Sequence, residues 1–203
     1  MFLTDALLAL VYPQSCRVCS GSVERRFYGV ACEACWGRQI FTDLGAIGLY
    51  EGALRETVLR LKREPYLPEY VIELLIERVE TLPAVTKIVP VPLHPDRLRT
   101  RGFNQAAVIG REMSRRMGVP IDETSLVRVS SSEKYRAGLD AKGRRDSVAN
   151  AFVVRYPRLI ENEQILLVDD VFTTGATVSS CSDALLGAGA KSVLIMTLAR
   201  VGR

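Results

Sequence analysis

A chain of 203 residues with 48% hydrophobic and 25% charged side chains has the composition of an ordinary soluble globular protein, long enough for one domain with an appendage or for two small ones. No apolar run approaches the ~20 residues that span a bilayer, which argues against membrane insertion. The net charge of +4 is unevenly spread: Arg97 to Arg158 holds 14 Lys and Arg against 6 Asp and Glu. That surplus suggests an anionic partner, polyphosphate or nucleic acid, with solvated helix faces as the plain alternative.

The chain opens on Leu3 to Leu10, a short stretch that carries Asp5 and has no basic lead-in. It reads as an amphipathic helix ended before Pro13 rather than as a secretory signal, and the expected location is cytoplasmic. Next come Cys16-x2-Cys19 and, twelve residues on, Cys32-x2-Cys35. Thiolates at this spacing converge on one tetrahedral ion, as in zinc ribbons, and a reducing cytoplasm removes disulfides as the competing reading. The segment between the pairs, with Gly21, Gly29 and a strand-like Phe27-Tyr28, fits a knuckle, hairpin and second knuckle. So small a module needs the ~10–16 kcal/mol of metal binding to fold. Four Cys ligands close the coordination sphere, so the Zn²⁺ is expected to be structural. Arg17, Arg25, Arg26 and Arg38 surround it and offset the thiolate charge, or touch nucleic acid. Residues 1–44 are assigned to this module and 45–203 to an α/β domain.

From Gly45 onward strands and helices alternate. Ala46 to Tyr50 is a weak strand. Leu54, Val58 and Leu61 repeat at helical spacing, with Glu56 and Arg60 on another face. Pro68 opens a helix through Leu82, with Val71, Leu74, Leu75, Ile76 and Val79 inward. Ile88 to Pro92 is strand-like but holds two prolines, so it is placed at a sheet edge or ends abruptly. A basic loop, His94 to Arg101, precedes a helix started by Asn104 and stopped by Gly118, with Ala106, Ile109, Met113 and Met117 on one side. Leu126 to Val129 and Ala151 to Val154 are short strands. Between them, Ser130 to Ser147 is polar, with Lys134, Arg136, Lys142, Arg144 and Arg145, and reads as a basic flap or a plain surface loop. Val178 to Leu186 is helical, closed by Gly187 to Gly189, and Ser192 to Leu198 is the last buried strand. Cys181 is expected in the core. The alternation argues for a mainly parallel sheet with its ligand beyond the strands' carboxyl ends.

The most informative stretch is Ile165 to Thr177. Ile165 to Val168 has the aliphatic run of a strand buried on both faces. Asp169 and Asp170 stand at its end, then Thr173-Thr174-Gly175-Ala176-Thr177 leads into a helix. A strand, a small loop and a helix N-terminus present free N–H groups and the positive end of a dipole, which suits a phosphate. The two carboxylates need another partner, and sugar hydroxyls or a metal ion fit. The stretch reads as a site for a phosphorylated sugar, against an ordinary capped turn. Guanidinium groups of the His94 to Arg101 segment match phosphate oxygens and suit a diphosphate.

These residues resemble the signature of the type I phosphoribosyltransferases. The resemblance implies that fold, a mainly parallel sheet flanked by helices, with Asp169 and Asp170 on the ribose hydroxyls of phosphoribosyl diphosphate. Val168, Val171, Phe172, Thr173, Thr174, Gly175, Ala176 and Thr177 would complete the sugar-phosphate site. The order CxxC…CxxC, Leu61-Lys62, VPVPLHPDRLRTRGFNQ, a basic loop, LLVDDVFTTGAT and AGAKSVLIMTLAR narrows this to a resemblance to the ComF family (the ComFC and GntX group), which is associated with DNA uptake in natural transformation. By that resemblance Val91, Pro92, Leu93 and His94 form the pyrophosphate loop and Ser130 to Ser147 the flexible catalytic loop. The chain departs from the family in having Arg136 where Gln is expected and Ser147 where Asn is expected. The implied chemistry is transfer of ribose 5-phosphate to an acceptor, with Mg²⁺ accompanying the diphosphate and with charge stabilisation by Arg97, Arg99 or Arg101 and by Arg136. The rival expectation is a non-catalytic adaptor or sensor that contacts single-stranded DNA and competence proteins. The basic segment offers only Phe103, Tyr135, Phe152 and Tyr156 for base stacking.

Overall fold

The computed structural model describes residues 15–23, 30–42, 45–129 and 151–202. The expected first helix at Leu3 to Leu10, the Phe27-Tyr28 strand, Arg25, Arg26, and the Ser130 to Ser147 loop with Arg136 lie outside the described residues.

In chain order the elements are α1 (Glu33–Trp36), β1 (Ala46–Leu49), α2 (Gly52–Leu61), α3 (Glu69–Glu80), β2 (Lys87–Pro90), α4 (Pro95–Arg101), α5 (Gln105–Met117), β3 (Leu126–Arg128), β4 (Phe152–Val154), a 3₁₀ turn (Pro157–Leu159), β5 (Gln164–Phe172), α6 (Ala176–Gly187) and β6 (Ser192–Arg200). β1, β6, β5 and β2 lie side by side in that order, every pair parallel. β3 and β4 form a separate antiparallel ribbon. The fold is the α/β, mainly parallel sheet flanked by helices that the alternation of elements implies.

β5 shows why a continuous aliphatic run belongs in the middle of such a sheet. Successive side chains leave a strand on opposite faces. Leu166 and Val168 join a core with residues of α2, α3 and α5, whereas Ile165 and Leu167 join a second core with Val178, Cys181 and Leu185 of α6 and with Leu126 and Phe152 of the ribbon. All four are fully buried. The strand is longer than expected: its ladder with β6 continues through Asp169↔Thr197 and Val171↔Ala199 to Phe172↔Arg200. The acids therefore sit within the strand, not past its end.

The edge position of β2 follows from its proline. Val91 N–H donates to Val168 O on the β5 side (2.8 Å), and Ile88 N–H donates outward to Pro120 O (2.9 Å). Pro90, two residues on from Ile88, has no N–H for that outer side, and no strand continues there among the described residues. α5 obeys its caps: the Asn104 side chain accepts from Ala106 N–H at 3.1 Å, and Gly118 takes φ 68°.

Two expectations are corrected. His94 to Arg101 is not a loop but contains α4, because the His94 Nδ1 accepts from Asp96 N–H (3.2 Å), Pro95 fills the first turn, and Gly102 closes it at φ 81°. α6 starts at Ala176, earlier than the apolar pattern suggested, and runs through Gly187, the reversal falling instead on Gly189 at φ 93°.

The cysteine knuckles pack directly on this sheet. Ile40 to Thr42 pairs antiparallel with β1, with Leu49 N–H to Ile40 O at 2.9 Å and Thr42 N–H to Ile47 O at 3.0 Å. Gly48 is required there: a Cβ would lie 2.4 Å from Ile40 O. Trp36 packs edge-on against Tyr70 of α3 (centroids 5.2 Å apart, 74°), and both Cys16 and Cys35 belong to the core that contains Val58, Val71 and Leu166.

Candidate functional site

Parallel strands deliver their carboxyl ends to one edge of the sheet, and there β2 and β5 bring two loops together. Val91, first residue of the expected pyrophosphate loop, bonds to Val168 O and is held a second time by Asn104, whose Nδ2 donates to Val91 O at 2.9 Å. The loop from Val91 to His94 is thus strapped between the acid pair and the start of α5. The sequence marked Asn104 only as a helix start. Its second bond, which ties cap to loop, carries no periodic signal and was missed.

At the end of β5, Phe172 to Thr177 makes the second loop. Gly175 adopts φ 81° as the N-cap of α6, and a Cβ there would lie 2.9 Å from the Phe172 ring. Thr174 Oγ1 accepts from Ala176 N–H at 3.4 Å. The first backbone bond of the helix runs from Ser179 N–H to Gly175 O (2.9 Å), so the amides of Ala176, Thr177 and Val178 have no partner within it. Thr173, Thr174, Ala176 and Thr177 are exposed. The N-terminus of this twelve-residue helix presents backbone N–H groups and the positive end of its dipole, an arrangement that can meet an anion.

Asp169 and Asp170 are consecutive strand residues, so they leave β5 on opposite faces. Asp169 lies on the α6 side with Cys181, whose thiol is pushed up first by burial and then by the Asp169 charge. Burial, followed by the neighbouring Asp170 charge, pushes the Asp169 carboxyl up to about 7. Its Oδ1 accepts the Asp170 N–H at 2.9 Å. Asp170 lies on the α2 side, 4.0 Å from Lys62 Nζ. In the sequence Lys62 stands out only within the Leu61-Lys62 pair of the family resemblance, with no role attached. The separation of more than a hundred positions hides its approach to the acids.

Of the arginines expected near a diphosphate, Arg97, Arg99 and Arg101 are on α4, and Arg136 lies outside the described residues. Arg99 pairs with Asp96. Arg97 and Arg101 have no carboxylate partner among the described residues. A groove of about 500 Å³ opens beside Pro95 and Leu98 of α4, bounded also by Pro92, Phe103, Arg111, Arg128 and Arg155. Within it Arg111 is neutralised by a bidentate pair with Glu123 (2.7 Å to each oxygen), and Arg128 stacks over Phe152 at 5.4 Å. No helix among the described residues is long and apolar enough to cross a membrane.

The four knuckle cysteines bring their sulfurs within 4.8 Å of one another. Cys16 and Cys35 are 3.7 Å apart and Cys19 and Cys32 3.6 Å. A tetrahedral ion ~2.3 Å from each sulfur requires S···S spacings of about 3.8 Å, so the set fits zinc. Val18 and Cys19 direct N–H groups at the Cys16 sulfur (3.4 and 3.5 Å), and Arg38 reaches Cys35 Sγ at 3.2 Å. Burial disfavours the Cys16 thiolate, but the amides of Cys19, Cys32 and Val18 outweigh it and bring the thiol down to about 6. Burial, and then the crowding of the other thiols, pushes Cys35 up to about 12 despite Arg38. A dication at the centre would satisfy all four.

The phosphoribosyl transferase domain family matches residues 104–203. Competence protein F of Haemophilus influenzae is 35% identical over 128 residues, 61% of this chain and 54% of that protein. DNA utilization protein YhgH of Salmonella typhi is 34% identical over 129 residues, 63% of this chain and 56% of that protein. Competence protein ComFC of Streptococcus pneumoniae is 33% identical over 114 residues, 56% of this chain and 48% of that protein. The chain spans about half the length of the curated relatives it matches. The domain match, these relatives and the paired cysteine knuckles agree in likening the chain to the ComF proteins, and the matched domain gives it a phosphoribosyltransferase-like fold.

Proposed function

We propose that this protein binds phosphoribosyl diphosphate with Mg²⁺ at the carboxyl edge of β2 and β5 and transfers its ribose 5-phosphate to an acceptor, in a cytoplasmic step of DNA uptake. The observation that carries the reading is the open N-terminus of α6 beside the acid pair. The 5-phosphate would take the amides and hydroxyls of Thr173 to Thr177, and Asp169 and Asp170 the ribose hydroxyls. The bond from C1 to the diphosphate oxygen breaks, its electron pair leaves with pyrophosphate, and C1 bonds to the acceptor, whose proton passes to solvent. Arg97 and Arg101, next to the Val91 to His94 loop, would meet the charge that develops on the leaving group. Mg²⁺, when bound, neutralises diphosphate charge through phosphate and water oxygens. Zn²⁺ on Cys16, Cys19, Cys32 and Cys35 would be structural. The names of the relatives, competence and DNA utilization proteins, support the setting.

Calorimetry with phosphoribosyl diphosphate and Mg²⁺ tests the pocket. Heat should appear with the natural chain and vanish when Asp169→Asn and Asp170→Asn are combined. Pyrophosphate release with some acceptor, lost in the same variant, would establish transfer. A second reading, a non-catalytic adaptor for single-stranded DNA, is supported by Arg97 and Arg101 of α4 and by Arg155 of the adjoining groove, none of which has an acidic partner among the described residues. It requires affinity for an oligonucleotide that falls steeply between low and moderate salt, with no pyrophosphate released.

A further inference from the structure

We propose that Lys62 is a ligand-binding residue of the sugar-phosphate pocket, holding the acid pair while the pocket is empty and turning to the diphosphate when ribose hydroxyls take those carboxylates. The inference rests on the reading above and adds to it a residue from outside the matched domain, which begins at position 104.

The base of this side chain is fixed. Lys62 is the C-cap of α2, with its N–H bonded to Val58 O at 3.1 Å. Ala53, Leu54, Val58 and Leu61 of that helix are buried in the same core as Val168. At the other end of α2, the buried Gln39 accepts from Leu54 N–H (3.1 Å) and donates to Leu49 O (2.9 Å), tying the helix to β1. The ammonium, by contrast, rides on a flexible four-carbon arm. It stands 4.0 Å from Asp170 Oδ2, with the Lys and Asp side chains 37% and 20% exposed. This is charge proximity without a hydrogen bond, and a pair so open contributes little to folding. A contact that is weak, solvent-reachable and anchored on a rigid helix is one that a ligand can exchange.

The charges explain why exchange is needed. Two neighbouring carboxylates suit the hydroxyls of a sugar but repel its phosphates, and Lys62 is the one cation in ion-pair range of either acid among the described residues. It also draws the Asp169 carboxyl toward its charged form from across the strand. Once hydroxyl donors satisfy the acids, the ammonium is free for phosphate oxygens. The ligand class is therefore a sugar that carries an anion beyond its 5-phosphate.

The test compares the natural chain with Lys62→Met and Lys62→Arg by calorimetry, using phosphoribosyl diphosphate with Mg²⁺ and, separately, ribose 5-phosphate. Lys62→Met should weaken the diphosphate sugar tenfold or more, leave ribose 5-phosphate within about twofold, and keep the melting temperature. Lys62→Arg should recover most of the loss. An unchanged affinity in Lys62→Met, or an equal loss for both ligands, overturns the role of Lys62 while the pocket stands. Silence of the natural chain toward both ligands overturns the pocket and this role with it.

Discussion

Asp169→Asn should make the protein more stable at neutral to alkaline pH while removing its affinity for the sugar. The Asp169 carboxyl is raised from an ordinary 3.8 to about 7, by burial first and by the Asp170 charge second. A carboxyl whose pKa is higher folded than unfolded adds stability that is complete below 3.8 and drains away as pH climbs through about 7. A rise of about three pH units at ~1.36 kcal/mol each amounts to ~4 kcal/mol lost by about pH 8. Solvent screening of a side chain that is only partly enclosed lowers this to about 2 kcal/mol. An amide of the same shape has no charge to desolvate, and its oxygen still accepts the Asp170 N–H. Urea unfolding followed by tryptophan fluorescence at about pH 8 and about pH 4 gives the difference between the two proteins. The Asp169→Asn variant should gain about 2–4 kcal/mol at the higher pH and less than about 1 kcal/mol at the lower. A difference that stays flat across this range, or a loss at the higher pH, would show that the acid is not strained. A gain in stability joined to a loss of binding would mark a residue kept for function at a cost to the fold.

Three other outcomes follow from the same geometry. Chelation of the metal, or Cys16→Ser, should lower the melting temperature and shift the emission of Trp36 to the red, since the protein's single tryptophan shares a core with Cys16 and Cys35; unchanged emission would detach the knuckles from the core. Gly175→Ala forces an L side chain to φ 81° with its Cβ 2.9 Å from the Phe172 ring. It should cost roughly 1–2 kcal/mol in a urea melt and weaken sugar-phosphate binding about tenfold, and wild-type values in both assays would refute the proposed phosphate site. Asn104→Ala removes both the cap on Ala106 N–H and the tie to Val91 O. A loss of about 1–2 kcal/mol is expected by denaturation, and a loss below about 0.5 kcal/mol would show that the loop is held elsewhere.

How far the chain can be read without its structure depends on whether the determining contacts are local. β5 was legible because burial on both faces demands an unbroken aliphatic run, which Ile165 to Val168 supplies. α5 was legible because Asn104 and Gly118 cap a pattern of helical period. α4 was readable in principle, since Pro95 and Gly102 bracket it, but its basic side chains leave no buried residue and hence no apolar stripe. The far end of β5 escaped because pairing with β6, not side-chain character, carries the strand across two aspartates. Cys16, Cys19, Cys32 and Cys35 announced their cluster through spacing alone. The approach of Lys62 to Asp170 had no such marker. It arises from the packing of α2 on the sheet, and a contact of that kind is visible only in three dimensions.

The placement of the knuckles limits what residues 104–203 can do alone. That span contains β5 and β6 but neither edge of the sheet, for β1 covers β6 and β2 covers β5. Without the preceding residues β6 would lose its partners at Ala46, Gly48 and Leu49, and Val168 would lose the amide of Val91. β1 in turn is paired by Ile40 to Thr42, which the second knuckle delivers through Trp36 and Gln39. One core, from Cys16 to Ala199, draws residues from both sides of position 44. The cysteine cluster, edge strand, α2 and Lys62 form one series of contacts ending at Asp170. If the four cysteines hold the proposed Zn²⁺, its removal by a chelator should weaken sugar-phosphate binding at the acid pair as well as lower the melting temperature, and unchanged binding would break this series.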